Sequence, residues 1–328
     1  MILRFLKNNQ AYHFVTIPLM VAGLWFRAYL YPELYPFYNG EDQMPLYQLV
    51  SKIGSVSVLG SNILAMVLAV LLAFFILKLN TSYSFIRVRS FLPSIIFVLI
   101  ASGVTSLHCL HPVYFGALFL LLAANRIFGA YEKDQVNRNA FDAGFYIGLG
   151  SLFYFNLIFF FPMVWIGFML IRKNPEWRNF VIPIVGILIP WLYAFSFYFL
   201  TDSLPELGTN IVRNVVSPVN LFDAGLPIKI YLGLLIFLTL LGSFFLVAQM
   251  EEKKVSSRKY FQIFFVIFII SMLVLLLIPS ASQEMLIVIA IPLSFLFANY
   301  LIFMRRQFWG NLFIYLLIGM VIYLQFIH

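Results

Sequence analysis

The sequence predicts an all-α polytopic integral membrane bundle, with about eleven transmembrane helices and a cytoplasmic N-terminus. Three observations carry this expectation. The 328 residues are 62% hydrophobic and only 10% charged, with a mean hydropathy of +0.95; a soluble domain carries about a quarter charged residues. Apolar stretches of roughly 20 residues, enough to cross a bilayer, recur along the whole chain. The basic residues fall in short runs between those stretches, the pattern that orients membrane proteins. The net charge of +8 is therefore read as topology, and no nucleic-acid partner is expected. The 38 Phe residues suit packing against acyl chains and one another.

Spans are predicted near residues 11–31, 56–77, 91–107, 113–130, 141–155, 157–171, 180–200, 229–249, 261–279, 284–303 and 308–327. Arg4 and Lys7 before the first stretch resemble a signal-peptide start. No small-x-small cleavage site follows, and the stretch is long enough to span, so it is read as an uncleaved helix. The fifth and sixth spans are short and meet around Tyr154, Phe155 and Asn156, so they form either a tight hairpin or one long kinked helix. Charge decides between these. With a hairpin, every Lys and Arg except Arg27, Lys52, Arg213 and Lys229 lies on the cytoplasmic side; merging the two spans sends all later basic loops outward, against the positive-inside rule. The two sizeable outer loops are residues 32–55 and 201–228. Cytoplasmic loops are too short for a soluble domain, and residues 1–328 read as one transmembrane domain. A bacterial cytoplasmic (inner) membrane is the expected location.

The first outer loop contains three prolines (Pro32, Pro36, Pro45) and Asn39-Gly40, which favour a structured turn over a long helix. Glu41 and Asp42 then sit beside the lipid surface, where a carboxylate either is simply solvated or serves as a general base or metal ligand. Arg27 lies one helical turn before the outer end of span one, placed to snorkel to headgroups or to bind a phosphate. With Lys52 and Arg213 it makes a candidate clamp for a lipid phosphate. His108-Cys109-Leu110-His111-Pro112 joins two spans as an interfacial turn; Pro112 ends it and no further ligands are near, so no metal site is assigned there. The single cysteine, Cys109, excludes an intrachain disulfide. Nucleotide-binding glycine loops, H-E-x-x-H and G-x-S-x-G are missing, removing the usual support for ATPase, zinc protease and serine hydrolase activity.

Met44-Pro45-Leu46-Tyr47-Gln48-Leu49-Val50-Ser51-Lys52, followed by a span and a basic loop, resembles the P-P-L-Y-Y-L-L pattern that closes the first outer loop of GT-C-type glycosyltransferases. Asn139-Ala140-Phe141-Asp142-Ala143-Gly144-Phe145-Tyr146-Ile147-Gly148-Leu149-Gly150, leading into a short apolar pair ending at Arg172-Lys173, is similar to a glycine-bearing hairpin of the same superfamily. The resemblance covers about residues 1–180 and implies a GT-C-like N-terminal half. It further implies a transferase that takes a sugar from a polyprenyl-phosphate donor at the outer leaflet. Glu41 or Asp42 would then stand as the catalytic acid, and Arg27, Lys52 and Arg213 would stabilise the departing phosphate. A divalent metal beside the acids stays open, as do the sugar and its acceptor. The whole chain also resembles a family of uncharacterised bacterial membrane proteins. Two other classes remain alongside the enzyme: a non-enzymatic membrane subunit or scaffold of an envelope assembly or secretion machine, and a transporter or lipid flippase. For the last, no charged pathway or broken-helix pair is evident.

Overall fold

The computed structural model describes residues 12–32, 37, 41–54, 57–86, 88, 90–131, 136–172, 176–216, 225–304 and 307–327. These residues are mostly helical, with no strand among them. In chain order the helices are α1 (His13–Leu24), α2 (Phe26–Leu30), α3 (Pro45–Gly54), α4 (Val58–Tyr83), α5 (Leu92–Ser102), α6 (Pro112–Phe128), α7 (Val136–Ser151) and α8 (Phe161–Ile171). They continue as α9 (Arg178–Leu200), α10 (Leu204–Val216), α11 (Leu226–Ala248), α12 (Val255–Leu277), α13 (Met285–Phe303) and α14 (Gln307–Ile327). Short 3₁₀ turns lie at Glu41–Gln43, Thr105–Leu107, Phe155–Phe160 and Met250–Glu252.

Six of these helices, α4, α9 and α11 to α14, are long and apolar enough to cross a membrane, which makes the chain a multi-pass helical membrane protein. Four other apolar segments, α1, α5, α6 and Phe155–Ile171, are shorter than the roughly 20 residues of a free-standing span. Helix length therefore supports the membrane class and leaves the expected total of about eleven spans open. Burial explains how the short ones are tolerated. Every residue of α5 is buried, and the backbone from Gly103 to His111 that follows it is largely enclosed. Irregular backbone there is tolerated because protein, not lipid, surrounds it.

Local sequence sets the helix limits. Proline stands in the first turn of α5, α6, α8 and α11, where its missing N–H costs nothing. The Ser57 hydroxyl caps α4 by accepting from the Gly60 N–H at 2.9 Å. Ser84, with φ at 48°, ends the same helix in a left-handed turn. The predicted first span is divided at Trp25, whose backbone leaves helical geometry between α1 and α2.

α13 is the central helix. Of its apolar window 83% is buried, against 22% for α9, so α13 packs on protein all round and α9 faces lipid. Its neighbours are α5, α11 and α12. Phe85, Phe128, Tyr260, Phe264 and Phe295 fill the space at one end with ring contacts of 4.4 to 5.5 Å between centroids.

The packing of α7 on α9 shows that the chain reverses between them. Gly144 lies against Pro183, Gly148 against Ile187, and the Trp191 indole N–H donates to the Ser151 hydroxyl at 2.8 Å. Both sequences rise together, so α7 and α9 run parallel and the 155–171 segment must return between them. The hairpin expected from charge is therefore present, with Tyr154 in an extended conformation at its apex.

Polar contacts between distant segments gather at two ends of the bundle. One end holds the Arg126–Asp142 ion pair at 3.2 Å, the Tyr83 hydroxyl on Asn125, the Lys259 ammonium on the Ile171 carbonyl and Lys253 on Asn299. The other holds Arg27, Lys52, Arg213, Trp25, His108, His111 and Glu284. This is the division that the positive-inside count assigns to the cytoplasmic and outer sides.

Candidate functional site

The end expected to face outward is organised by two shorter helices, α3 between α2 and α4 and α10 between α9 and α11. Tyr47 is buried and its hydroxyl donates to the Leu110 carbonyl at 3.0 Å, while the Leu46 N–H donates to the Leu152 carbonyl at 3.1 Å. The Pro-Leu-Tyr motif thus fastens α3 to the turns after α5 and α7. α10 buries Leu207, Asn210 and Asn214, spaced three and four apart, packs Ile211 and Val215 beside them, and exposes Glu206, Thr209, Val212 and Arg213. Two asparagines on a buried face require partners, and each has them.

Gln43 joins the two loops. Its carbonyl accepts from Asn210 Nδ2 at 3.2 Å and from Gln48 Nε2 at 3.1 Å, and its Oε1 accepts from Arg213 Nη1 at 3.2 Å. Arg213 is thereby brought to the residue beside Asp42, across 170 positions of sequence. Asp42 is half-buried; the side chain of Glu41 lies outside the described residues. Lys52 is exposed in the last turn of α3. Arg27 goes elsewhere: its Nη1 donates to the Gln325 carbonyl on α14 at 2.6 Å. Gln325 in turn donates to the Ser102 carbonyl at 3.2 Å, and Trp25 donates to the Ser102 hydroxyl at 3.0 Å. Arg27 therefore belongs to a contact that closes the first helices on the last one.

From α10 the polar seam continues inward. The Ser280 hydroxyl donates to the Asn214 carbonyl, and the same loop carries Ser282 and Glu284. Glu284 is fully buried at the N-terminus of α13. Its Oε1 accepts from the Ser282 N–H at 2.7 Å and from the Tyr154 hydroxyl at 3.2 Å; its Oε2 accepts from the Ser282 hydroxyl. Three donors thus converge on one carboxyl group next to a helix N-terminus. The Asn156 Nδ2 donates to the Tyr154 hydroxyl at 3.3 Å, behind that pair. His111 completes the cluster, with its ring edge toward Tyr154 at 6.3 Å and Phe37 stacked on it at 5.6 Å.

Sequence reasoning placed Glu284 on the outer side but gave it no role. The available signal was its position: one acid set directly against an apolar helix of 19 residues, behind a Ser-x-Glu turn. Among the described residues no group of three His, Cys, Asp or Glu could hold a metal ion.

Both outer histidines are neutral at physiological pH. The His111 Nδ1 accepts from the Val113 N–H at 3.1 Å, so in the neutral ring the proton sits on Nε2. Burial pushes its pKa down to about 4, with Glu284 pulling the other way. His108, stacked on Trp25 at 4.4 Å, is pushed by burial to about 3, partly opposed by its bond to the Ser102 carbonyl. A histidine whose folded pKa lies below its unfolded value near 6.5 contributes stability in full above that value and loses it as pH falls, because only the unfolded chain takes up the proton. Unfolding in detergent is therefore expected to ease by about 1.4 kcal/mol per pH unit for each histidine between pH 6.5 and 4. A flat thermal midpoint from pH 7.5 to 5 would contradict this.

One family model, described as a family of unknown function (DUF6427), matches residues 44–328. The chain belongs to this family. The match begins at Met44, immediately before the Pro-Leu-Tyr anchor, and takes in α3 to α14, so Arg213, the asparagines of α10 and the Glu284 cluster all lie within it. No curated protein and no solved structure matches the chain.

Proposed function

We propose that this protein acts at the outer leaflet of the bacterial cytoplasmic membrane on a polyprenyl-phosphate-linked sugar, as a glycosyltransferase. The observation that carries the reading is the meeting of Arg213 with the first outer loop at Gln43, beside Asp42. A transfer from a lipid phosphate needs a base for the acceptor hydroxyl and a cation for the departing phosphate, both at the headgroup level. Asp42 supplies the first and Arg213 the second, with Glu41 and Lys52 on the same loop and helix. α3 and α10, lying at the interface, would flank the lipid as it approaches. Arg27 takes a bracing role in this reading, because its guanidinium is engaged with α14.

The test is native mass spectrometry of the protein in nanodiscs prepared from bacterial lipid, comparing wild type with Arg213→Ala and Asp42→Asn. Wild type and Asp42→Asn are expected to retain a polyprenyl-phosphate species, and Arg213→Ala to lose at least about tenfold of it, the equivalent of one charge-assisted hydrogen bond. Donor turnover is expected to vanish in Asp42→Asn. Ordinary phospholipids alone, unchanged across all three proteins, would overturn the proposal in favour of a non-enzymatic membrane subunit.

A further inference from the structure

At the opposite, basic end, the turn between α11 and α12 borders a cavity of about 140 Å³. A single water needs roughly 10–15 Å³ of such space, so the cavity is large enough for a polyatomic ligand. Lys253 and Lys254 supply its charge, Gln249 and Ser257 its neutral polar groups, and Phe85 and Phe303 an apolar wall. Glu252 is the one carboxylate on the lining, leaving two cations against one anion.

The lysines differ in kind. Lys253 is fixed: its ammonium donates to Asn299 Oδ1 at 2.7 Å and sits over the rings of Phe261 and Phe303 at 5.0 and 5.2 Å. Lys254 is exposed and precedes the first turn of α12. That turn adds positive potential from its amides, since the first of them to bond back into the helix is Arg258, on the Lys254 carbonyl. Ser257 closes the inner edge by donating to the Ser84 carbonyl at 3.3 Å, in the left-handed turn that ends α4.

We infer that this cavity binds a phosphate mono- or diester. A fixed and an exposed ammonium group, the Gln249 amide and a helix N-terminus surround one space at the basic end of the bundle. The aromatic wall suits the carbon atoms attached to such a phosphate. An orientation signal alone would require basic residues near this end but no enclosed space between them. The ligand would tie the end of α4 to the α11–α12 turn and to Phe303 at the end of α13. This inference is independent of the outer-face proposal and stands or falls separately.

The experiment uses the full chain in nanodiscs of phosphatidylcholine, with and without phosphatidylglycerol, and reads amide hydrogen exchange across residues 249–257 together with the lipids retained in native mass spectrometry. Phosphatidylglycerol is expected to protect this segment and to be retained. Lys254→Gln, at an exposed position that leaves the fold intact, is expected to weaken retention about tenfold, and Lys254→Arg to keep it. Inorganic phosphate added to the neutral discs and protecting the same residues would support the site and identify a soluble phosphate as its source. No protection by either anion, or equal retention in wild type and Lys254→Gln, would overturn the inference.

Discussion

Replacing Glu284 with leucine is expected to lower stability by about 3 to 5 kcal/mol, the cost of removing one member of a buried, charge-capable hydrogen-bonded set. Leucine fills similar volume, so the loss is not a cavity effect. It arises because the Ser282 N–H and hydroxyl, both aimed at the carboxyl group, would lose their acceptor at a buried position, while the Tyr154 hydroxyl would keep only the Met285 sulfur at 3.3 Å. Tyr154→Phe removes a single donor and should cost about 1 kcal/mol. Glu284→Gln keeps the acceptor oxygen and should fall between the two. Denaturant titration of the four proteins in one detergent would establish the order. In a double-mutant cycle, Glu284→Leu and Tyr154→Phe should couple, since with leucine in place the Tyr154 hydroxyl exchanges a carboxyl oxygen for the weaker Met285 sulfur, a loss that phenylalanine cannot suffer. A cost for leucine below about 1 kcal/mol would show that the cluster is not held as a unit.

The same cluster marks where the sequence was legible and where it was not. Membrane class, the two polar ends and the reversal around Tyr154 follow from hydropathy and from the distribution of Lys and Arg, because both reflect the bilayer, which acts on every residue in the same way. The site depends on tertiary contacts that no local pattern encodes. Arg213 is brought to the first outer loop by Gln43, which Asn210 also holds, and neither of these residues carries a motif. Arg27 sits near the outer end in sequence, yet its partner is the carbonyl of Gln325, a contact that only the closing of the bundle creates. Tyr47, part of the segment that resembles a loop-closing pattern, serves as an anchor on Leu110. α10 lies within the predicted second outer loop, since its buried face is narrow and partly built from asparagines, a pattern that average hydropathy discards. α3 was obscured by the prolines around it, although Pro45 occupies the first position of the helix, where proline is favoured.

Among the described glycines, substituting Gly144 with alanine is expected to be the most damaging change, costing about 3 kcal/mol or more, at or beyond the upper end of ordinary overpacking. A Cβ at this position would collide with the backbone carbonyl of Pro183, with the carbonyl carbon at 2.8 Å, and a helix backbone cannot swing aside as a side chain can. Four residues on, a Cβ at Gly148 would meet the Ile187 carbonyl oxygen at 2.7 Å, and Gly186 presses back from α9 onto Phe141 and Phe145. Small residues at this spacing let two membrane helices approach closely enough for dispersion to hold them. Pushing α7 from α9 would also break the Trp191–Ser151 hydrogen bond, so the thermal midpoint and the tryptophan emission should move together. Gly23→Ala in α1 is the control, since nothing lies within 4 Å of its added methyl, and it should be neutral or stabilising by the better helix propensity of alanine. The comparison also tests the topology. If residues 141–171 formed one kinked helix, α7 would not run beside α9 in parallel, Gly144 would face lipid, and its alanine variant would behave like that of Gly23.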